Sequence, residues 1–462
     1  MVKPARTAIV IGGGLAGIAA ALALAKQGVK VQLLESKRRL GGRTGSFSKG
    51  EASEQIDYCQ HVGMGCCTNL KQLIDWLGQR DEWETHRKLH FYGPDGHYQR
   101  LASLPLLPAP LHLSNWLLRW PGLSFADRVA VARGMLAIRK LKIGAKSDQL
   151  AAEPWLISQR QTPNAIDRFW RTIIVSALGE QLSLVNLSAV AKVLQDGFLN
   201  HRDAFHLLVP KRPLGELFGT EAETVLRNHG VEVHLQTRAQ RLVQVAECRF
   251  VADSQKLGRT YADAVVVAIP WFRMRALVEA TAHTPLMRIV QNAEQISGSP
   301  ISGIHTWWDR KWLDTPHAAI VGRLCQWVFP KHLVTQQSTD DSEHYYQIVV
   351  SASRQLPRSN STDLTQLVHQ DLAAVFPKVR DAKLLRMQVV TDPLAVYSAS
   401  VASTELRPKP SVPNVNVWVA GDWVQTGWPA TMESAILSGW RAAESIFELW
   451  GRPTQIAAPP LS

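Results

Sequence analysis

Residues 8–17 read AIVIGGGLAG, and 18 residues beyond the last of these glycines stands Glu35, within VQLLESKRRLGGR (31–43). Thr7 to Ile11 is a short apolar run of the kind that forms a buried parallel strand, and Ala19 to Lys26 reads as a helix of small residues. Between them, Gly12-Gly13-Gly14-Leu15-Ala16-Gly17 fits G-x-G-x-x-G. In that pattern Gly12 permits a tight turn, Gly14 lets a pyrophosphate approach the backbone, and Gly17 lets the helix pack closely on the strand. Gly28 ends the helix, Lys30 to Leu34 form a second strand, and Glu35 at its C-terminal end is placed to accept hydrogen bonds from a ribose hydroxyl. The unit predicts a bound dinucleotide, and so far NAD and FAD fit equally.

The rest of the chain sets bounds on that reading. At 462 residues it predicts two to three domains, with a cofactor domain joined to a substrate domain. The net charge of +12 is compatible with an anionic membrane surface or acidic substrates, but no basic run with interleaved aromatics points to nucleic acid. A generally basic, solvated surface is the plainer explanation. Five cysteines, an odd number without CxxC spacing, predict reduced thiols and no metal site. The apolar start belongs to a strand rather than a signal peptide, and no uninterrupted apolar stretch is long enough to span a bilayer. The expected location is the cytoplasm, with peripheral contact at the inner face of the cell membrane as an option.

Glu35 is followed by Leu40-Gly41-Gly42-Arg43, and this E-x5-GGR run resembles the FAD-binding signature of the amine oxidase and carotenoid desaturase superfamily. Two glycines allow close backbone approach, and the Arg43 guanidinium suits a pyrophosphate. Near the other end, VNVWVAGDWVQTGWPATMESAILSGWRAAES (415–445) reads as a strand over 415–420, a Gly-Asp pair, a Gly/Pro turn and a helix from about Ala430. It resembles the AGDW motif of the same superfamily. There the aspartate, here Asp422 beside Gly421, holds the ribityl chain, and the helix start near Met432 lies by the flavin ring, where N–H groups favour negative charge. The runs around 231–239 and 262–270 resemble the superfamily's middle FAD-domain strands, which implies that Ala239 lies by the cofactor.

The implied fold is α/β, a Rossmann-type FAD-binding domain with an interleaved α+β substrate domain. The expected division is FAD domain over 1–90, 206–270 and 401–450, substrate domain over 91–205 (apolar, helical) and 271–400, and a tail over 451–462.

IDYCQHVGMGCCTNLKQLIDWLG (56–78) resembles the segment after the FAD motif in bacterial hydroxysqualene dehydroxylases, the squalene-associated flavoproteins of hopanoid synthesis. Ile56, Asp57, Gln60, His61, Gly65 and Cys66 match, while Tyr58-Cys59 stand in place of Asn-Gly. Phe169-Trp170 and TGWPATMESAILSG are similar to this family, and Gly179 stands where an asparagine is expected. The resemblance implies reductive removal of an allylic hydroxyl from hydroxysqualene, an apolar isoprenoid, with other enzymes of squalene synthesis as partners. Two rivals remain: an FAD-dependent amine oxidase or polyene desaturase of the same fold, and a non-catalytic flavin-containing lipid-binding subunit.

LASLPLLPAPLHLSNWLLRWPGL (101–123) offers either a monotopic membrane patch for lipid entry or a buried helical pair. Arg128, Arg139, Lys142 and Lys146 would share one helical face, as a phosphate-lipid stripe or a solvated face. For the proton donor the candidates are Asp57, His61 and Tyr397. His61 also reads as a structural histidine and Asp57 as a turn residue.

Overall fold

In the computed structural model, which describes residues 5–48, 55–278, 283–331, 343–357 and 362–461, the strand Thr7–Ile11 lies at the centre of a parallel sheet. The order across that sheet is Glu232–His234, Lys30–Leu34, Thr7–Ile11, Ala264–Val267, Val417–Val419. Strands from three distant stretches of chain thus converge on one sheet, as an α/β FAD-binding fold requires.

The first helix spans Leu15–Lys26, starting four residues before the expected Ala19. Leu15 to Ile18, read in the sequence as loop, form its first turn, with Gly14 as N-cap. Ten of its twelve residues are buried, as expected for a helix apolar all round. It is sandwiched between the sheet and the last helix, Met432–Leu449, and the two helices touch so closely that a Cβ on Gly439 would stand 2.2 Å from Ala16 O. That last helix starts two residues after the expected Ala430, because Thr431 caps it through Ser434 N–H at 3.1 Å.

A second sheet of seven strands runs Leu384–Tyr397, Gly298–Trp308, His344–Ser351, Trp327–Lys331, Ala318–Ile320, Leu89–Tyr92, Tyr98–Leu101. Its side chains alternate between two covered faces. Ile304, Trp308, Tyr346 and Ile348 pack with Leu364, Val368 and Leu372 of the helix Thr362–Val375. On the other face Trp307 and Tyr345 meet Ile56, and a Cβ on Gly303 would be 2.5 Å from Tyr58 O. This sheet therefore lies against the segment that follows the GGR turn.

Helices between 111 and 199 build a third body around Trp116, Trp120, Phe169 and Trp170. The stretch 101–123 is divided: Leu101, Leu113, Trp116, Trp120 and Leu123 are buried, as the helical-core reading expects, whereas Leu106 is 94% and Leu118 65% exposed. The common basic face does not form. The helix Phe125–Lys140 ends where Leu141 turns extended (ψ 129°), so Lys142 lies in a link and Lys146 on the separate Ala145–Asp148 turn.

Candidate active site

The glycine run builds an anion cradle. A Cβ on Gly12 would stand 2.4 Å from Ala268 O and one on Gly17 1.9 Å from Gly12 O, whereas one on Gly14 would meet nothing within 4 Å. Strand and helix are locked together, and open space lies in front of Gly14. The Leu15–Lys26 helix has neither a side-chain N-cap nor an acidic residue in its first turn, so the N–H groups and positive dipole end around Leu15, Ala16 and Gly17 suit a diphosphate. Glu35 is buried, with Oε2 accepting from Gly13 N–H and Oε1 from Lys37 N–H, each at 2.7 Å. Oε1 also accepts from Ser36 Oγ at 3.1 Å, so it is Oε2 that keeps a further lone pair for a ribose hydroxyl. Gly41 N–H donates to Gly13 O at 2.9 Å, which docks the GGR turn on the glycine loop with Gly42 against Gly14. Ala239 begins a strand two residues after Thr237, whose N–H donates to Glu35 O at 2.7 Å. These residues fit the ADP half of a dinucleotide.

The C-terminal motif closes on the same place. Arg43 donates through Nη1 to Ala395 O at 2.7 Å and through Nη2 to Asp422 Oδ1. Gly421 N–H donates to Ser438 Oγ at 2.7 Å and Ser434 Oγ to Asp422 O at 3.2 Å. Asp422 is thereby fixed at the N-terminus of the Met432–Leu449 helix, with Met432 half-buried at its first position.

The family described as flavin containing amine oxidoreductase matches residues 15–447. The chain belongs to this family. FAD is its cofactor, and the protein is an FAD-dependent oxidoreductase. The chain is 24% identical over 444 residues to hydroxysqualene dehydroxylase of Zymomonas mobilis subsp. mobilis, covering 94% of this chain and 97% of that one. It is also 24% identical to the 15-cis-phytoene desaturase of Arabidopsis thaliana, over 96% of this chain and 80% of that one. The structure of cyclohexylamine oxidase from Brevibacterium oxydans superposes with a TM-score of 0.69 at 17% identity, covering 97% of this chain and 100% of that one, and so shares the fold.

Within this flavoenzyme scaffold the three proton-donor candidates lie on different elements. Asp57 is buried, and its Oδ1 accepts from Ser46 Oγ at 2.6 Å and Leu214 N–H at 2.7 Å. It ties the hairpin after the GGR turn to the chain entering the π turn Glu216–Glu221. His61 is half-buried, with Nδ1 2.9 Å from Cys59 O. Tyr397 is buried at the end of the long strand Leu384–Tyr397, and burial pushes its phenol up to about 12 even though the Arg407 guanidinium lies 4.6 Å from the ring centroid.

Several residues of the site carry no mark in the sequence. Buried Arg407 donates to the carbonyls of Trp423, Val424 and Trp428 at 3.1, 2.7 and 2.9 Å, shaping the loop between Asp422 and the last helix. Glu433, next to Met432, accepts from Asn69 N–H, Asn69 Nδ2 and Leu70 N–H at 3.1, 2.6 and 2.8 Å. It caps the helix Thr68–Trp76, and burial raises its pKa. Glu433 signals itself only as a lone charge inside an otherwise apolar, turn-rich run, and Arg407, between Glu405 and Lys409, does not stand out at all. Among the described residues no cluster of His, Cys, Asp and Glu suits a metal ion.

Proposed function

We propose that the protein reductively removes the allylic hydroxyl group of hydroxysqualene to give squalene. The end-to-end likeness to hydroxysqualene dehydroxylase supports this reading most, since it spans the substrate-side segments as well as the cofactor motifs. The reduced flavin supplies two electrons as hydride, so that alcohol, hydride and a proton become hydrocarbon and water. The chain's part is to hold the FAD through Gly12, Gly14, Leu15, Ala16, Gly17, Glu35, Gly42, Arg43, Ala239, Gly421, Asp422 and Met432, and to shelter a long hydrocarbon. Val62, Met64, Ile173, Ala177 and Trp327 are apolar and only partly buried against the helical core, which leaves surface for such a chain.

A second reading, polyene desaturation, draws on the equal identity to phytoene desaturase. The two run electrons in opposite directions. Anaerobic mixing separates them: the dehydroxylase reading expects hydroxysqualene to reoxidise the reduced enzyme, and the desaturase reading expects phytoene to bleach the oxidised enzyme.

In this reading lipid enters at the exposed part of 101–125, where Leu106, Leu111, Leu118 and Phe125 are exposed, Leu118 next to Arg119 in the chain. No helix among the described residues is long and apolar enough to cross a membrane; the contact proposed is with an anionic surface, which the net charge of +12 suits. Co-sedimentation with anionic but not zwitterionic vesicles is the expected result.

A further inference from the structure

The helix Leu187–Leu194 (LSAVAKVL) carries one charge, Lys192, and runs straight into the π turn Gln195–Leu199, which carries Asp196. Their Nζ and carboxylate are 2.5 Å apart, and the side chains are only 21% and 23% exposed. An i,i+4 pair on a helix is commonly a solvated surface contact. The surroundings of this one differ. Lys192 Nζ stands 4.7 Å from the Trp428 ring centroid, over the TGWPAT loop that leads from Asp422 to Met432. A Cβ on Gly197, next to Asp196, would be 3.3 Å from Met64 Cε. Met64, Trp428 and Met432 are half-buried against one apolar cluster, and Ala189, one turn before Lys192, touches the two neighbouring clusters. The pair therefore stands where the substrate-side helices meet the C-terminal cofactor motif and the segment after the GGR turn.

An ammonium in an apolar wall is costly unless it is paired, and Asp196 supplies the pairing. Lys192 has three N–H bonds. Among the described residues it pairs with Asp196 and lies over the Trp428 ring, with Glu433 near enough to act on it electrostatically, and its side chain keeps 21% of its surface exposed, so an N–H is left for an incoming oxygen. A pure hydrocarbon has no acceptor to offer it, whereas an alcohol does.

We propose that Lys192, positioned by Asp196, binds the substrate's hydroxyl oxygen and gives it the proton with which it leaves as water. This rests on the dehydroxylation reading above. The C–O bond breaks with its electron pair going to oxygen, an Nζ–H proton joins that oxygen, and the carbon gains the hydride that the reduced flavin provides. Water then restores the Lys192 proton, so each turnover consumes one hydride and one proton. Asp196 is a positioning residue, and Lys192 touches the reacting oxygen.

The test uses flavin-loaded oxidised enzyme, which binds but cannot turn over, titrated with hydroxysqualene and with squalene while flavin absorbance is followed. Wild type is expected to bind the alcohol at least about tenfold more tightly, one hydrogen bond to a charged group being sufficient for that. Lys192→Met should bring the ratio to about one with squalene affinity and flavin content of the folded enzyme unchanged, and should slow anaerobic flavin reoxidation by hydroxysqualene about 100-fold or more. Lys192→Arg should recover the binding preference and part of the rate, and Asp196→Asn should lose part of both. If Lys192→Met does not fold, the Arg and Asn variants decide. A Lys192→Met or Asp196→Asn enzyme that keeps both the alcohol preference and the rate overturns this assignment while leaving the function intact. A wild type that neither prefers the alcohol nor forms squalene overturns the function and this assignment with it.

Discussion

Arg43 and Asp422, 379 residues apart in the chain, meet in a hydrogen-bonded ion pair that ties the first flavin motif to the last. Burial works against the Arg43 charge, and Asp422, with Asp392 further off, more than offsets this, so its pKa is raised. Because the pair forms within the protein itself, Asp422→Asn should destabilise even the flavin-free protein, by about 1–3 kcal/mol for a charge-assisted bond. It should also lower the flavin-to-protein ratio after purification. Denaturant melts of the apoprotein measure the first effect and visible absorbance the second. An unchanged apoprotein midpoint would mean the pair contributes no stability.

The glycine cradle separates folding from binding. Gly17→Ala places a Cβ 1.9 Å from Gly12 O, a backbone atom, and is expected to cost about 3 kcal/mol. Gly14→Ala enters open space at an extended backbone (φ −74°) and should change apoprotein stability by less than about 1 kcal/mol. It should still weaken FAD binding at least about tenfold, since the methyl occupies the place of the diphosphate. Equal stability losses in the two variants would contradict the assignment of Gly14 to the cofactor.

These outcomes also mark what a reader of the sequence can reach. The strands Thr7–Ile11 and Lys30–Leu34 are legible to the residue because an apolar run between punctuating glycines admits one reading. The helix start at Leu15 is not, because a glycine within G-x-G-x-x-G reads as loop although its backbone is already helical. Sheet order is set by contacts between residues hundreds apart, and the seven-stranded sheet draws its strands from 89–101 and 298–397. No local period announces that. The basic face failed at Leu141, where a single extended residue ends the helix that charge spacing alone would continue. Lys192 and Asp196 went unread for a similar reason: an i,i+4 pair looks like surface until Trp428 is found beside it.

Asp57 gives a test that distinguishes acid from tether. Its Oδ1 accepts from Ser46 Oγ and from Leu214 N–H, so Asp57→Asn should lower stability by about 1–3 kcal/mol and leave the reoxidation rate of the folded fraction within about threefold of wild type. A rate loss of about 100-fold at unchanged melting temperature would return Asp57 to the role of proton donor.

Stability should fall in acid partly through one histidine. Buried His317 accepts from His90 N–H at Nε2, 3.2 Å away, and its Nδ1 lies 3.1 Å from His86 Nδ1. Burial, with the nearby His86 and His90, pushes its pKa down to about 3 from the usual 6.5. The folded state thus keeps His317 neutral where the unfolded chain takes up a proton. Stability is full above about pH 6.5 and is lost progressively down to about pH 3, by up to about 1.4 kcal/mol per pH unit. His317→Gln should flatten the wild-type slope of unfolding free energy between pH 7 and pH 5, and an unchanged slope would contradict a neutral His317.

The central claim is the direction and destination of the hydride. Enzyme reduced anaerobically in D2O, whose flavin N5 hydrogen has exchanged with solvent, is mixed with hydroxysqualene and the extracted lipid is analysed by mass spectrometry. The account predicts squalene carrying one deuterium at the former carbinol carbon, formed one-for-one with flavin reoxidation. Recovery of unaltered hydroxysqualene, together with bleaching of the oxidised enzyme by phytoene or an amine, would contradict it.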